Sequence, residues 1–253
     1  MIKHIYITIL LFCLSNLTFA QNVPHLNFWN KFSLSQPITE KWRTETELQH
    51  RRQNDFSQQG KNVFDENLLS SVRTWVHYQH KDDLSFSFSP FAYYWHNSII
   101  VNDADKEKPQ IKEIRFSIAA DLNHELVKSL LIIDRTCLEY RDFQNTNTDF
   151  TRMRNRLGLR YEFSKKLNFT FYDEIFLNLK GAKPVNFLDH DRYAYILNYK
   201  PNKYLRIETG YIYIARLPRG TDEFLHENNF LLQFYYILPH REHRKHPKTQ
   251  HHS

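Results

Sequence analysis

In the run Arg152-Met153-Arg154-Asn155-Arg156-Leu157-Gly158-Leu159-Arg160-Tyr161-Glu162-Phe163, the even positions hold four arginines, Gly158 and Glu162, and nearly every odd position is apolar or aromatic. Only a strand sorts such residues into two faces, because successive side chains point to opposite sides of a sheet whereas a helix scatters them around its axis. The period-2 pattern recurs from Phe28 to Leu238. A chain built this way needs one setting for a charged face and another for an apolar face along almost its whole length. A closed barrel supplies both: its lumen takes the charged face and its outer wall the apolar one.

The head of the sequence supports a membrane setting. Lys3 precedes a run from Ile5 to Leu14 that is apolar apart from Thr8, and Thr18-Phe19-Ala20 stands before Gln21. These are the parts of a secretory signal with a small-x-small cleavage site, so residues 1–20 are expected to be a signal peptide. The apolar run is too short for a membrane-spanning helix, which needs about 20 residues, and no later stretch is apolar enough. Any membrane crossing must use strands. Phe12 is too bulky, just before Cys13, for a lipid-attachment site. Beyond the signal only Cys137 remains, which rules out an intramolecular disulfide. The mean hydropathy of −0.63 suits strands that are polar at every second position, whereas five glycines are few for a barrel.

Strands are expected near 28–36, 42–52, 67–79, 84–96, 110–122, 129–142, 151–163, 167–178, 190–199, 204–216 and 226–238. Tight polar connections at 37–41, 80–83, 123–128, 164–166 and 200–203 alternate with longer ones such as 53–66 and 97–109, as in outer-membrane barrels with short periplasmic turns and long external loops. Bacterial single-chain barrels close with an even number of strands, so a tally of eleven points to ten to twelve, with one segment miscounted or residues 21–27 threading the lumen. The expected architecture is all-β, an antiparallel up-and-down transmembrane barrel over residues 21–238. Residues 239–253 carry five histidines, two arginines and two lysines without alternation and read as a disordered, solvated basic tail.

An arginine facing lipid near the midplane costs roughly 2–4 kcal/mol, so the arginine faces turn inward. The expected lumenal set is Arg43, Glu45, Glu47 and Arg51, then Arg73, then Glu113, Arg115 and Asp121. It continues with Arg135, Glu139 and Arg141, then Arg152, Arg154, Arg156, Arg160 and Glu162, and ends with Glu174, Arg192, Arg206 and Glu208. The expected lipid-facing set includes Phe86, Phe88, Phe116, Ile118, Leu157, Leu159, Phe169, Phe171, Tyr193, Tyr195, Tyr211, Tyr213, Phe230, Leu232 and Phe234.

Two meanings compete for the charged interior. Arginines can line a water-filled passage that favours small anionic solutes, or they can pair with carboxylates across the lumen and fill it, which is the expected state of a barrel this small. The net charge of +6 does not indicate nucleic acid, because the arginines alternate with acids inside strands and the chain is exported. A hydrolase acting on lipid is a weaker alternative. His77, His96, His190 and His226 lie near strand ends with Ser71, Ser87 and Ser89 in reach, yet no nucleophile elbow or zinc motif accompanies them. A soluble exported ligand-binding barrel would invert the two faces. No catalytic residue, metal or cofactor is assigned. Residues 102–107 lack the ligand spacing and glycine of a calcium loop.

Trp29, the strand Glu45-Thr46-Glu47-Leu48-Gln49-His50-Arg51, Glu139-Tyr140-Arg141, the strand Arg154 to Tyr161, and Glu208-Thr209-Gly210-Tyr211 occur in an order that resembles the outer-membrane barrels catalogued as domain of unknown function 2490, found mainly in Bacteroidota. The resemblance implies a cell outer-membrane β-barrel with no established activity, substrate or cofactor, and therefore no catalytic residues to carry over.

Overall fold

A computed structural model describes residues 25–144, 149–216 and 224–239. The expected signal peptide and almost all of the basic tail lie outside these residues. Within them, eleven strands follow in order. They are β1 His25–Pro37, β2 Trp42–Gln53, β3 Glu66–Gln79, β4 Leu84–His96, β5 Ile111–Val127 and β6 Leu130–Phe143, then β7 Phe150–Glu162, β8 Leu167–Lys180, β9 Leu188–Tyr199, β10 Leu205–Arg216 and β11 Leu225–Ile237.

Each strand pairs antiparallel with its chain neighbours, and the barrel closes where β1 meets β11. That seam is parallel and runs unbroken from His25↔Glu227 to Ser35↔Ile237. The expectation of an even count is therefore corrected. With an odd number of up-and-down strands the first and last run the same way, and a parallel ladder with evenly spaced, slanted bonds satisfies both edges. One consequence is that β1 starts at the rim of long connections, beside Gln53, while β11 ends at the rim of short turns.

A second correction concerns β5. Residues 123–127 continue the strand instead of turning. The reversal is made by Lys128 and Ser129 alone, with Ser129 at φ 70°, a left-handed conformation that tight hairpins need and that glycine usually supplies.

The alternation sorts the side chains as a pleated wall must. Phe86, Phe88, Phe116, Ile118, Leu157, Leu159, Phe171, Tyr193, Tyr195 and Phe230 stand exposed on the outer wall. Phe169, Tyr211, Tyr213, Leu232 and Phe234, on the same faces, are half-buried. The outer wall also carries polar interruptions. Asp173 is exposed between inward-facing Tyr172 and Glu174, the Asn155 amide donates to Asp134 at 2.8 Å and to Thr136 at 2.9 Å, and Asn30, His50 and Ser70 stand side by side across β1, β2 and β3.

Inside, Gly158 has a packing reason to lack a side chain. A Cβ there would come within 2.2 Å of the Phe171 carbonyl and 2.6 Å of the Tyr172 Cβ.

Candidate functional site: a cationic lumen

Three inward-facing glutamates organise the wall. Glu113, Glu139 and Glu174 are all but sealed from solvent, and a buried carboxylate is tolerable only when paired and hydrogen-bonded. Glu139 is met by Arg152 at 2.6 Å, Arg154 at 3.1 Å, Arg115 at 3.4 Å and Arg73 at 3.8 Å. Glu174 is met by Arg154 at 2.7 Å, Arg156 at 3.2 Å and Arg192 at 3.6 Å. Glu113 takes Arg141 at 2.7 Å, Arg115 at 2.8 Å and His96 at 2.8 Å. Most of these bonds join neighbouring strands. These run along the wall and lay the guanidinium planes against it, whereas the Arg73–Glu139 contact reaches past two strands, from β3 to β6.

Aromatic rings on the same faces receive those planes. Arg51 lies 3.5 Å over Trp29, Arg73 3.8 Å over Trp75, Arg115 4.1 Å over Tyr94, Arg156 4.2 Å over Tyr172, Arg192 4.2 Å over Phe176 and Arg206 3.8 Å over Tyr235. Cation–π stacking of this kind is strongest where water is excluded.

The space left is one interior cavity of about 720 Å³. Every arginine named in the sequence reading borders it, with Glu45, Glu47, Asp121 and Glu208. Glu113, Glu139 and Glu174 sit behind the arginines, and Glu162 is exposed at the short-turn rim. The cavity reaches from Arg43 and Arg206 at that rim to Asn97 and Ile99 at the other, and cations outnumber carboxylates along it. Lys31, Arg216, Asp189, His190 and Glu227 also border it and were missed from sequence. Strand parity held the signal for Arg216, which shares its face with Arg206 and Glu208, for His190, which shares its face with Arg192, and for Glu227, which alternates with the outward Phe230, Leu232 and Phe234. Lys31 pairs with Glu47 at 2.8 Å, Arg216 with Glu227 at 2.6 Å and Arg152 with Asp189 at 2.8 Å.

At the long-loop rim the β4–β5 connection folds inward. Gln53 donates to the Ser98 carbonyl at 2.8 Å and accepts from the Ile100 N–H at 3.2 Å. Ile100 is buried, and Ile99 packs on Leu68, Leu69, Ala92 and Tyr94. Lys106 ties this connection to the β2–β3 loop, 2.7 Å from Asp55 and 3.0 Å from Asp103, while Ser57 donates to Asp103 at 2.9 Å. The hydrogen bonds from Lys106, helped by Ser57, hold both carboxyls below their usual range, and the same bonds raise the Lys106 ammonium.

The histidines are dispersed. His77 reaches Ser87 at 2.8 Å, with Glu45 3.8 Å from its other nitrogen, but Ser87 is buried and does not border the cavity. His96 serves Glu113. His190 stacks on Phe176 at 3.9 Å, and His226 meets the Tyr213 hydroxyl at 2.6 Å on the outer wall. The His50 ring lies 3.0 Å from the Ser70 hydroxyl, also outside.

Solved structures that share the barrel fold include outer-membrane proteins. The chain aligns with the NanC porin at a TM-score of 0.51 and 10% identity over 84% of this chain and 97% of that one. Lower similarity extends to the anion-selective porin from Comamonas acidovorans, with TM-score 0.37 and 8% identity over 79% of this chain and 54% of that one. The translocator domain of the autotransporter NalP from Neisseria meningitidis gives TM-score 0.42 and 12% identity over 76% and 73%. No curated protein matches. Residues 26–243 match one family profile, and the chain, an eleven-stranded closed barrel, belongs to the family described as Protein of unknown function (DUF2490).

Proposed function

We propose that the protein resides in the outer membrane and forms a narrow passage that favours small anions. The observation that carries this reading is the cavity of about 720 Å³ bordered by residues of both rims, with cations in excess. Fixed positive charge in a narrow low-dielectric tube raises the local concentration of anions and repels cations. Most of the ion pairs support the reading because they join neighbouring strands along the wall, the Arg73–Glu139 and Arg152–Asp189 contacts reaching further. A filled lumen would need them to span it.

The experiment is single-channel recording of the refolded protein in a planar bilayer under a potassium chloride gradient. Discrete steps whose reversal potential reports anion preference support the passage. A heat-modifiable, folded sample that stays silent at all voltages removes it.

A second reading has one observation in its favour. Asn30, His50 and Ser70 form a cross-strand row on the outer wall, with base and hydroxyl 3.0 Å apart, where a lipid could lie. The ladders of β1, β2 and β3 engage the backbone N–H groups around it, so a tetrahedral oxyanion finds no spare backbone donor. The row therefore ranks below the passage. Phospholipid release that vanishes in Ser70→Ala would reverse the order.

A further inference from the structure

Arg51 differs from its neighbours in the lumen. Among the described residues it makes no ion pair, and its one hydrogen bond is to the neutral Gln49 at 3.1 Å. Its guanidinium lies 3.5 Å over the Trp29 ring, and Arg192 approaches the same ring at 5.4 Å. The nearby carboxylates are already engaged. Glu227 holds Arg216 at 2.6 Å on one oxygen and Asn27 at 3.1 Å on the other. Glu174 holds Arg154 and Arg156, and Arg192 stands third at 3.6 Å. Two guanidiniums thus share one indole without a full counter-charge.

The donors at this place are also unused. Trp29 is 3% exposed, yet its indole N–H meets no acceptor, and neither do the Nε–H groups of Arg51 and Arg192. Unpaired buried donors are costly, and all three residues border the cavity.

We infer that Trp29, Arg51 and Arg192 form a binding site for an oxyanion, the carboxylate or phosphate group of a small solute, within the lumen. A planar or tetrahedral oxyanion can take a guanidinium on each side and the indole N–H. The idea deepens the passage reading by giving the lumen a saturable station. It can be read without conduction.

The test is intrinsic tryptophan fluorescence of the folded protein in detergent micelles, titrated with potassium phosphate, potassium acetate or potassium chloride at constant ionic strength. A W29F variant isolates the Trp29 signal, and retained heat-modifiability verifies folding of each variant. The expected result is a saturable change with phosphate, acetate or both, absent with chloride, with the apparent Kd weakened at least tenfold in Arg51→Gln. Whether phosphate or acetate binds more tightly separates the two sources of the oxyanion. An equal response to chloride, or an Arg51→Gln protein that binds like the parent, overturns the site. A silent barrel that still binds oxyanion removes only the passage, and a conducting barrel without saturable binding removes only the site.

Discussion

Glu139 and Arg152 stand directly opposite each other in the β6–β7 ladder, and their side chains meet at 2.6 Å in a place from which solvent is almost excluded. The contact belongs to the wall, and its partners are shared. Three further arginines approach the same carboxylate, so it fixes guanidiniums from β3, β5 and β7 at once.

Removing that charge should therefore weaken the whole girdle. Glu139→Gln leaves several buried cations without a counter-charge, and breaking a buried pair by deleting one partner costs roughly 3–5 kcal/mol. Urea unfolding in micelles should show a midpoint well below the parent's. Arg156→Ala should cost less, because Arg156 is partly exposed and Arg154 still serves Glu174. Equal losses in the two variants would contradict this ranking.

Selectivity should follow the exposed lumenal charge. Arg156 and Arg135 border the cavity, so Arg156→Gln combined with Arg135→Gln should move the reversal potential towards that of a non-selective pore. An unchanged potential would mean that ions do not pass these groups.

The closure itself can be checked by covalent chemistry. Asn30 and Leu232 are opposed across the parallel β1–β11 seam on the outer wall. Asn30→Cys together with Leu232→Cys should cross-link within one chain under mild oxidation, whereas Asn30→Cys with Leu138→Cys should not. The native Cys137 is buried and does not compete.

Outer-wall Asp173 sits midway along β8. A carboxylate facing lipid there is unfavourable, though less so than arginine. Asp173→Leu should raise stability in bilayers by about 1 kcal/mol, read as a higher urea midpoint. A lower midpoint would show that the hydrogen bond between Asp173 and Asp191 outweighs the cost of a carboxylate on the outer wall.

The loop latch should respond to pH at both ends. Asp55 and Asp103 are held below the usual 3.8. Their contribution is fully present above that value and is lost as pH falls through the depressed values. Lys106 is held above the usual 10.5, so its contribution is present below that value and is lost as pH rises through the raised one. Amide exchange of residues 97–110 should thus be slowest between these limits and quicken at acid pH, after correction for the intrinsic rate. As Asp103 and Lys106 are exposed and Asp55 is only half-buried, high salt should weaken the latch as well.

Alternation in the sequence was enough to locate all eleven strands, because a two-residue period survives any register and any tertiary context. It also separated inward arginines from outward aromatics, since a pleated strand sends alternate side chains to opposite faces. What it missed on the inner faces were the aromatic residues: Trp75 shares parity with Arg73, Trp29 with Lys31, Tyr94 with His96, and Tyr172 and Phe176 with Glu174, but all five read as apolar. They turn inward because guanidinium planes stack on them.

Local pattern determined strand and face in this protein, each being a property of a few consecutive residues. Only the tertiary structure decided how an odd count closes, which arginines share a glutamate, and that Arg51, without an ion pair among the described residues, converges with Arg192 on Trp29. Those outcomes depend on register between strands as distant in sequence as β1 and β11, and a period of two carries no information about register.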